Sequence, residues 1–377
     1  MRGWVLAAGI LLAVLIPEKT YAAETVPQLD WQKEIDLAET DEIFAKNAGE
    51  TSFSLSGYVS DVVKGKAEFS FFHLVDGLVG HLEDGMEEQK KTLLRLLALA
   101  VFAGIFVRFA GTFGDRELGE TGFYVVFLLM TGLVSSGFYL VFEVAKEALA
   151  HLVDFMKALI PSFSLALCYG GGTQTSLLFY ETMLIAMGLL EMLMSGFLLP
   201  GVQIYFFMNI VNQLAENRFS RMVELLRSVL RWSVKILFAV LLGYQGIQGM
   251  LLPVMDKVKN NALWQSAKGL PGVGNTVGSV MDTMLGSGVL IKSAVGIGGV
   301  IAIILLCIYP LLKLLLFTLL YKIGSAIVQP VSDRRIAAVL QSAAASGKLL
   351  LSYVLAGALM FVLSITIVLV CTNMTMG

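Results

Sequence analysis

The sequence predicts an all-α, polytopic helical membrane protein with about six transmembrane helices after an N-terminal signal peptide. Three observations predict it. Hydrophobic residues make up 56% of the 377-residue chain and charged residues only 15%, more apolar surface than one soluble core can bury. Several apolar runs approach or exceed the roughly twenty residues needed to cross the hydrocarbon core. Lysine and arginine gather in alternate connections, the asymmetry that orients membrane helices. The formal net charge of −2, from 27 Lys+Arg against 29 Asp+Glu, supplies no field that would favour nucleic acid as a partner. Cys168, Cys307 and Cys371 lie far apart in or beside apolar runs and form neither a metal pattern nor a disulfide frame.

Taken in order, residues 1–22 read as the signal peptide. Arg2 precedes a short apolar run, and Thr20-Tyr21-Ala22-Ala23 suits cleavage after Ala22, with an uncleaved anchor as the alternative. Residues 23–92 then form an exported acidic and amphipathic segment, expected to pack on the membrane face or on a partner. The polytopic domain fills residues 93–377. Its expected spans lie near 93–111, where Arg95 and Arg108 can snorkel, 122–142, which is free of charge, and 176–199, which contains Glu181 and Glu191 and stops at Pro200. The others lie near 232–252, 294–312 and 349–371, and one span more or fewer is open around Pro200 and Pro310. With residues 23–92 outside, Arg116 falls inside, 143–175 outside, and the basic stretches 217–235 and 313–348 inside. The Gly-rich stretch 268–299 is then external, and Lys257, Lys259, Lys268 and Lys292 run against the positive-inside rule there.

That stretch ends in Gly286-Ser-Gly288-Val-Leu-Ile-Lys292-Ser, which has the look of a phosphate-binding loop. Such a loop requires glycine directly before its lysine, so that the backbone turns and its N–H groups cradle phosphate; Ile291 stands there instead. What remains is small-residue spacing. Gly274 and Gly278 are four apart, Gly296, Gly298 and Gly299 lead into a span, and small residues, Gly286 and Gly288 among them, let helix backbones approach closely in a membrane. Pro271 and Gly272 favour a break between two short helices. The competing reading is a flexible loop followed by ordinary helix packing.

Glu181 and Glu191 lie on roughly opposite quadrants of their helix at about 100° per residue. A carboxylate at membrane depth costs roughly 2.5–3.5 kcal/mol on insertion scales, which makes Glu191 a candidate for a pore lining or a buried pair. His73, His81 and His151 have no ligand spacing, and no nucleophile elbow or HExxH pattern occurs, so the residues offer no enzyme and imply no cofactor or metal. Near the C-terminus Pro330 breaks a helix, Ser332 or Asp333 caps a new one, and Ile336, Val339, Leu340 and Ala343 form an apolar stripe. A short amphipathic helix there, with Asp333, Arg334 and Arg335 at its start, could receive a partner or lie as an interfacial anchor. The arginines at 218, 221, 227 and 231 read the same way, or as contacts to anionic membrane lipid.

Together the signal peptide, the exported acidic segment, the polytopic body, the stretch from Lys268 to Gly296 and Gln329-Pro-Val-Ser-Asp-Arg-Arg-Ile resemble the stage III sporulation protein AE family of endospore-forming bacteria. The resemblance implies a multi-pass component of the channel complex joining mother cell and forespore after engulfment, lying in the mother-cell-derived outer forespore membrane. It implies other stage III sporulation membrane proteins, ring-forming proteins and a cytoplasmic secretion-type ATPase as partners, and a role in late forespore gene expression. It supplies no catalytic residues. A permease-like transporter subunit coupled to the ATPase and a non-conducting assembly scaffold stay open beside the conduit, as does a homo-oligomer.

Overall fold

The computed structural model describes residues 35–48, 53–64, 116–268, 274–330 and 332–374, with isolated positions between 91 and 98. Among them lie two short helices, α1 (Ala38–Ala48) and α2 (Leu55–Val63), and a body of long ones: α3 (Arg116–Tyr169), α4 (Thr173–Leu193), α5 (Leu199–Leu214), α6 (Ser220–Lys268), α7 (Gly274–Val328) and α8 (Arg334–Met374). The described residues contain no strand. The signal peptide and all but isolated positions of the first expected span, 93–111, lie outside them.

Four stretches are long and apolar enough to cross a membrane: Thr121–Tyr169, Thr173–Leu214, Gly286–Val328 and Arg334–Asn373. Their bounds are longer than those expected from the sequence, for three physical reasons. First, 143–175 is not a loop. α3 runs on to Tyr169 because Leu149, Leu152, Phe155, Met156, Leu159 and Phe163 keep a buried helical stripe beneath its charged outer face. Second, Pro200 does not end a helix. It has no N–H to donate and its ring crowds the carbonyl four residues back, but a π-helical turn over Met194–Leu198 stands directly before it. The Leu199 N–H bonds Met194 O across this wider turn, so α4 and α5 continue as one rod. Third, Pro310 is buried inside α7, and the helix continues through it. The expected span at 232–252 lies within α6, which is not among the four.

The long helices alternate in direction between two ends of the bundle. At one end the Arg335 guanidinium pairs with Glu216 at 3.0 Å and covers the Phe123 ring, gathering the start of α3, the α5–α6 turn and the start of α8. At the other end Asp256 of α6, Lys292 of α7 and Thr372 of α8 meet the α3–α4 turn. The core between them is aliphatic and aromatic, including Phe138 stacked on Phe206 at 4.1 Å and the fully buried Phe317, Tyr353 and Phe361.

The described part of residues 23–92 packs on the chain's own body. Asp41 of α1 accepts the Leu55 and Ser56 N–H groups, and the Ser54 and Ser56 hydroxyls donate to it, which ties α1 to the start of α2. Phe44 meets Phe155 of α3 edge-on at 6.1 Å, and the Ser162 hydroxyl donates to Asp36 O. Leu55 and Tyr58 lie against Gly298 of α7, where a Cβ would come within 2.5 Å of the leucine.

Candidate functional site

The densest buried polar arrangement among the described residues surrounds the α3–α4 reversal. Three glycines, Gly170, Gly171 and Gly172, follow the apolar end of α3. The Gly172 N–H reaches back to Leu167 O and the Gly171 N–H to Cys168 O, the double closure that ends a helix with one left-handed residue. Gly171 supplies it at φ 81°, a conformation that a Cβ makes costly. The reversal leaves the first N–H groups of α4 without partners in their own helix. Asp256, buried on α6, supplies them: its carboxylate accepts the Gln174 N–H at 2.8 Å, the Thr175 N–H at 3.0 Å and the Thr175 hydroxyl at 2.6 Å. A carboxylate set against a helix N-terminus is also favoured by the helix dipole.

α7 closes the other side. Gly288 approaches so nearly that a Cβ there would stand 2.2 Å from Tyr169 O and 3.0 Å from Gly170 N. Lys292 lies four residues on, hence on the same helical face, with its stem beside Gly170. Only 1% exposed, it donates to the Thr372 hydroxyl at 3.1 Å, two residues before the end of α8. Its cation therefore sits where the C-terminal ends of α3 and α8 converge, the favourable end of both dipoles. The two buried charges thus complement opposite helix ends and hold five long helices at one point. Burying each is tolerable because each has a specific partner or helix end.

The residues singled out from the sequence distribute unevenly around this point. Gly288 and Gly296 both make close approaches, the latter to Phe163 and Leu369, whereas nothing stands within 4 Å of a Cβ at Gly286. Gly274 and Gly278 lie in the first turns of α7, their surroundings outside the described side chains, and Pro271 and Gly272 lie outside the described residues. Lys292 belongs to the middle of a helix, so the external loop charge expected there is instead a buried one.

Glu191 is not buried. It projects from α4 and pairs at 3.3 Å with Lys157 of α3, which lies 3.9 Å from Asp154, with all three side chains at least half exposed. Glu181 is exposed as well. Asp333 caps α8 by accepting the Arg335 N–H at 2.8 Å, Arg335 is engaged with Glu216 and Phe123, and Arg334 is exposed. The expected short partner-binding helix is instead the first part of α8: Ile336, Val339, Leu340 and Ala343 are buried in the chain's own core, leaving that stripe no free face. Sequence reasoning missed Asp256, Lys292 and the Gly170–Gly172 turn as a unit. The adjacent glycines and the four-residue spacing of Gly288 and Lys292 were the available signals.

A model of the stage III sporulation protein AE family matches residues 53–372. A Bacillus subtilis (strain 168) relative named stage III sporulation protein AE is 24% identical over 363 residues, covering 94% of this chain and 91% of its own. No solved structure matches.

Proposed function

The chain belongs to the stage III sporulation protein AE family, and from that premise we propose that it is a multi-pass component of the sporulation channel complex linking mother cell and forespore. The single observation that carries this reading is the family match over most of the chain, and four helices able to cross a membrane support it. In this role it lies in the mother-cell-derived outer forespore membrane beside other stage III sporulation membrane proteins, with ring-forming proteins outside and a secretion-type ATPase on the cytoplasmic face. It performs no catalytic step of its own. A cleaved signal peptide over 1–22 and a further span near 93–111 complete its insertion.

The test is isolation of the tagged full chain from engulfed sporangia. The conduit reading expects ring proteins and ATPase to co-isolate with it, and isolation without either contradicts it. Alanine at the exposed Arg218, Arg221 and Arg334 separates the alternatives. An uncoupled ATPase with intact assembly indicates the permease-like subunit, and lost ring assembly indicates the scaffold.

A further inference from the structure

The α5–α6 reversal is a rigid turn that sets two cations apart. Glu216 and Asn217 both take left-handed backbone, at φ 52° and 66°, a conformation that costs a residue bearing a Cβ. The buried Asn212 holds them there. Its side chain accepts the Phe219 N–H at 2.8 Å and donates to Asn217 Oδ1 at 3.3 Å, and its carbonyl accepts the Asn217 N–H at 2.8 Å. The Ser220 hydroxyl closes the turn on Asn217 O. In this conformation Glu216 reaches the Arg335 guanidinium, so the body of the protein takes up the acid within the turn.

The basic residues of the turn and the start of α6 then divide into two kinds. Arg227 is half-buried, Arg231 donates from Nε to Arg227 O, and Lys235 stands 5.9 Å from the centre of the Trp232 ring. Arg218 and Arg221 are exposed, and no described carboxylate, Glu224 included, lies within ion-pair distance of either. Large apolar side chains lead up to these two. Phe207, Val211 and Leu214 form an exposed stripe along α5 toward the turn, and Phe219 and Met222 stand exposed beside the arginines. In water alone this would be an open apolar patch, and in hydrocarbon alone it would hold two unpaired guanidinium groups. The surface of the bilayer satisfies both, and the basic stretches 217–235 and 313–348 turn this end toward the cytoplasm.

We propose that the α5–α6 turn is a binding site for anionic phospholipid of the cytoplasmic leaflet. Arg218 and Arg221 hold the headgroup, since each guanidinium can offer two parallel N–H groups to phosphate oxygens. The α5 stripe, Phe219 and Met222 lie against the acyl chains. A free phosphate has no tail to cover that stripe, and an acidic protein surface meets the arginines but leaves the stripe bare. The left-handed turn readies the site by drawing Glu216 away to Arg335, so that the acid of the turn does not compete with phosphate.

The experiment replaces Phe219 by photoreactive benzoylphenylalanine in the full chain; Phe219 is exposed, so the core is untouched. The chain is reconstituted in vesicles of equal phosphatidylglycerol and phosphatidylcholine with identical acyl chains, and crosslinked lipid is identified by mass. The expected result is at least about a fivefold excess of phosphatidylglycerol adduct, the factor given by about 1 kcal/mol per basic residue near an anionic surface. The excess should fall to near equality in Arg218→Gln/Arg221→Gln and largely persist in Arg218→Lys/Arg221→Lys. Equal adducts with both arginines present overturn the site, and so does an excess that survives the glutamine substitutions. Capture of neither lipid puts the turn away from the bilayer and also overturns it. The same crosslink in sporangial membranes yields lipid adduct if the site is right, whereas a protein adduct in its place assigns the arginines to a protein partner and overturns the lipid.

Discussion

Replacing Gly288 by alanine tests the helix packing where it leaves least room. The added Cβ would stand 2.2 Å from Tyr169 O, against an ordinary contact distance of 3.4–4 Å. The obstacle is the backbone of a closed turn rather than the tip of a flexible side chain, so α7 must retreat by an ångström or more and loosen Lys292 with it. Overpacking of this kind costs about 1–3 kcal/mol, and the rigidity of the obstacle favours the upper end. Alanine recovers about 0.5–1 kcal/mol of helix propensity, leaving a net loss of about 2 kcal/mol. Gly286, two residues earlier and open on all sides, is the internal control, because there only the favourable propensity term remains. Thermal unfolding of the purified full chain in detergent should show Gly288→Ala melting about 5 °C lower, at about 2–4 °C per kcal/mol, and Gly286→Ala at or slightly above wild type. Equal melting of the two variants, or a lower value for Gly286→Ala, would refute the close-approach reasoning.

Other substitutions probe the charges. Asp256→Ala removes a three-bond cap from α4 and should cost about 1–2 kcal/mol, read as a lower melting temperature, with Asp256→Asn recovering part of it. Lys292→Glu sets a carboxylate against two helix C-termini and should cost about 3–5 kcal/mol, read as loss of folded protein on size-exclusion chromatography, whereas Lys292→Met should keep most of it. Glu191→Gln breaks an exposed pair and should shift stability by less than about 1 kcal/mol. A drop in melting temperature comparable to that of Gly288→Ala would show Glu191 to be structural instead.

Membrane character and helix direction were legible in the sequence because they depend on the sum of many residues. The alternation expected from basic stretches at 217–235 and 313–348 agrees with the end-to-end reversals of α3 through α8. Helix boundaries at prolines were not legible. Pro200 reads as a stop, and what keeps the rod continuous is a π-turn whose sequence, Met-Ser-Gly-Phe-Leu, carries no period of its own. Burial of single charges within the bundle did not follow from the run they lie in. Glu191 lies in an apolar run yet faces outward to Lys157, and Lys292 lies in a Gly-rich run yet is buried. A one-dimensional pattern does not say which helix stands across from a given face. Arg335 illustrates the same limit, since its carboxylate partner is 119 residues away.

The functional claim is tested most directly by removing the chain after the complex has formed. A degradation tag on the only copy would be triggered once engulfment is complete, with early and late forespore reporters followed in the same cells. The account predicts that late reporter activity falls while engulfment and the early reporter persist. Undiminished late expression after the chain has gone would contradict it.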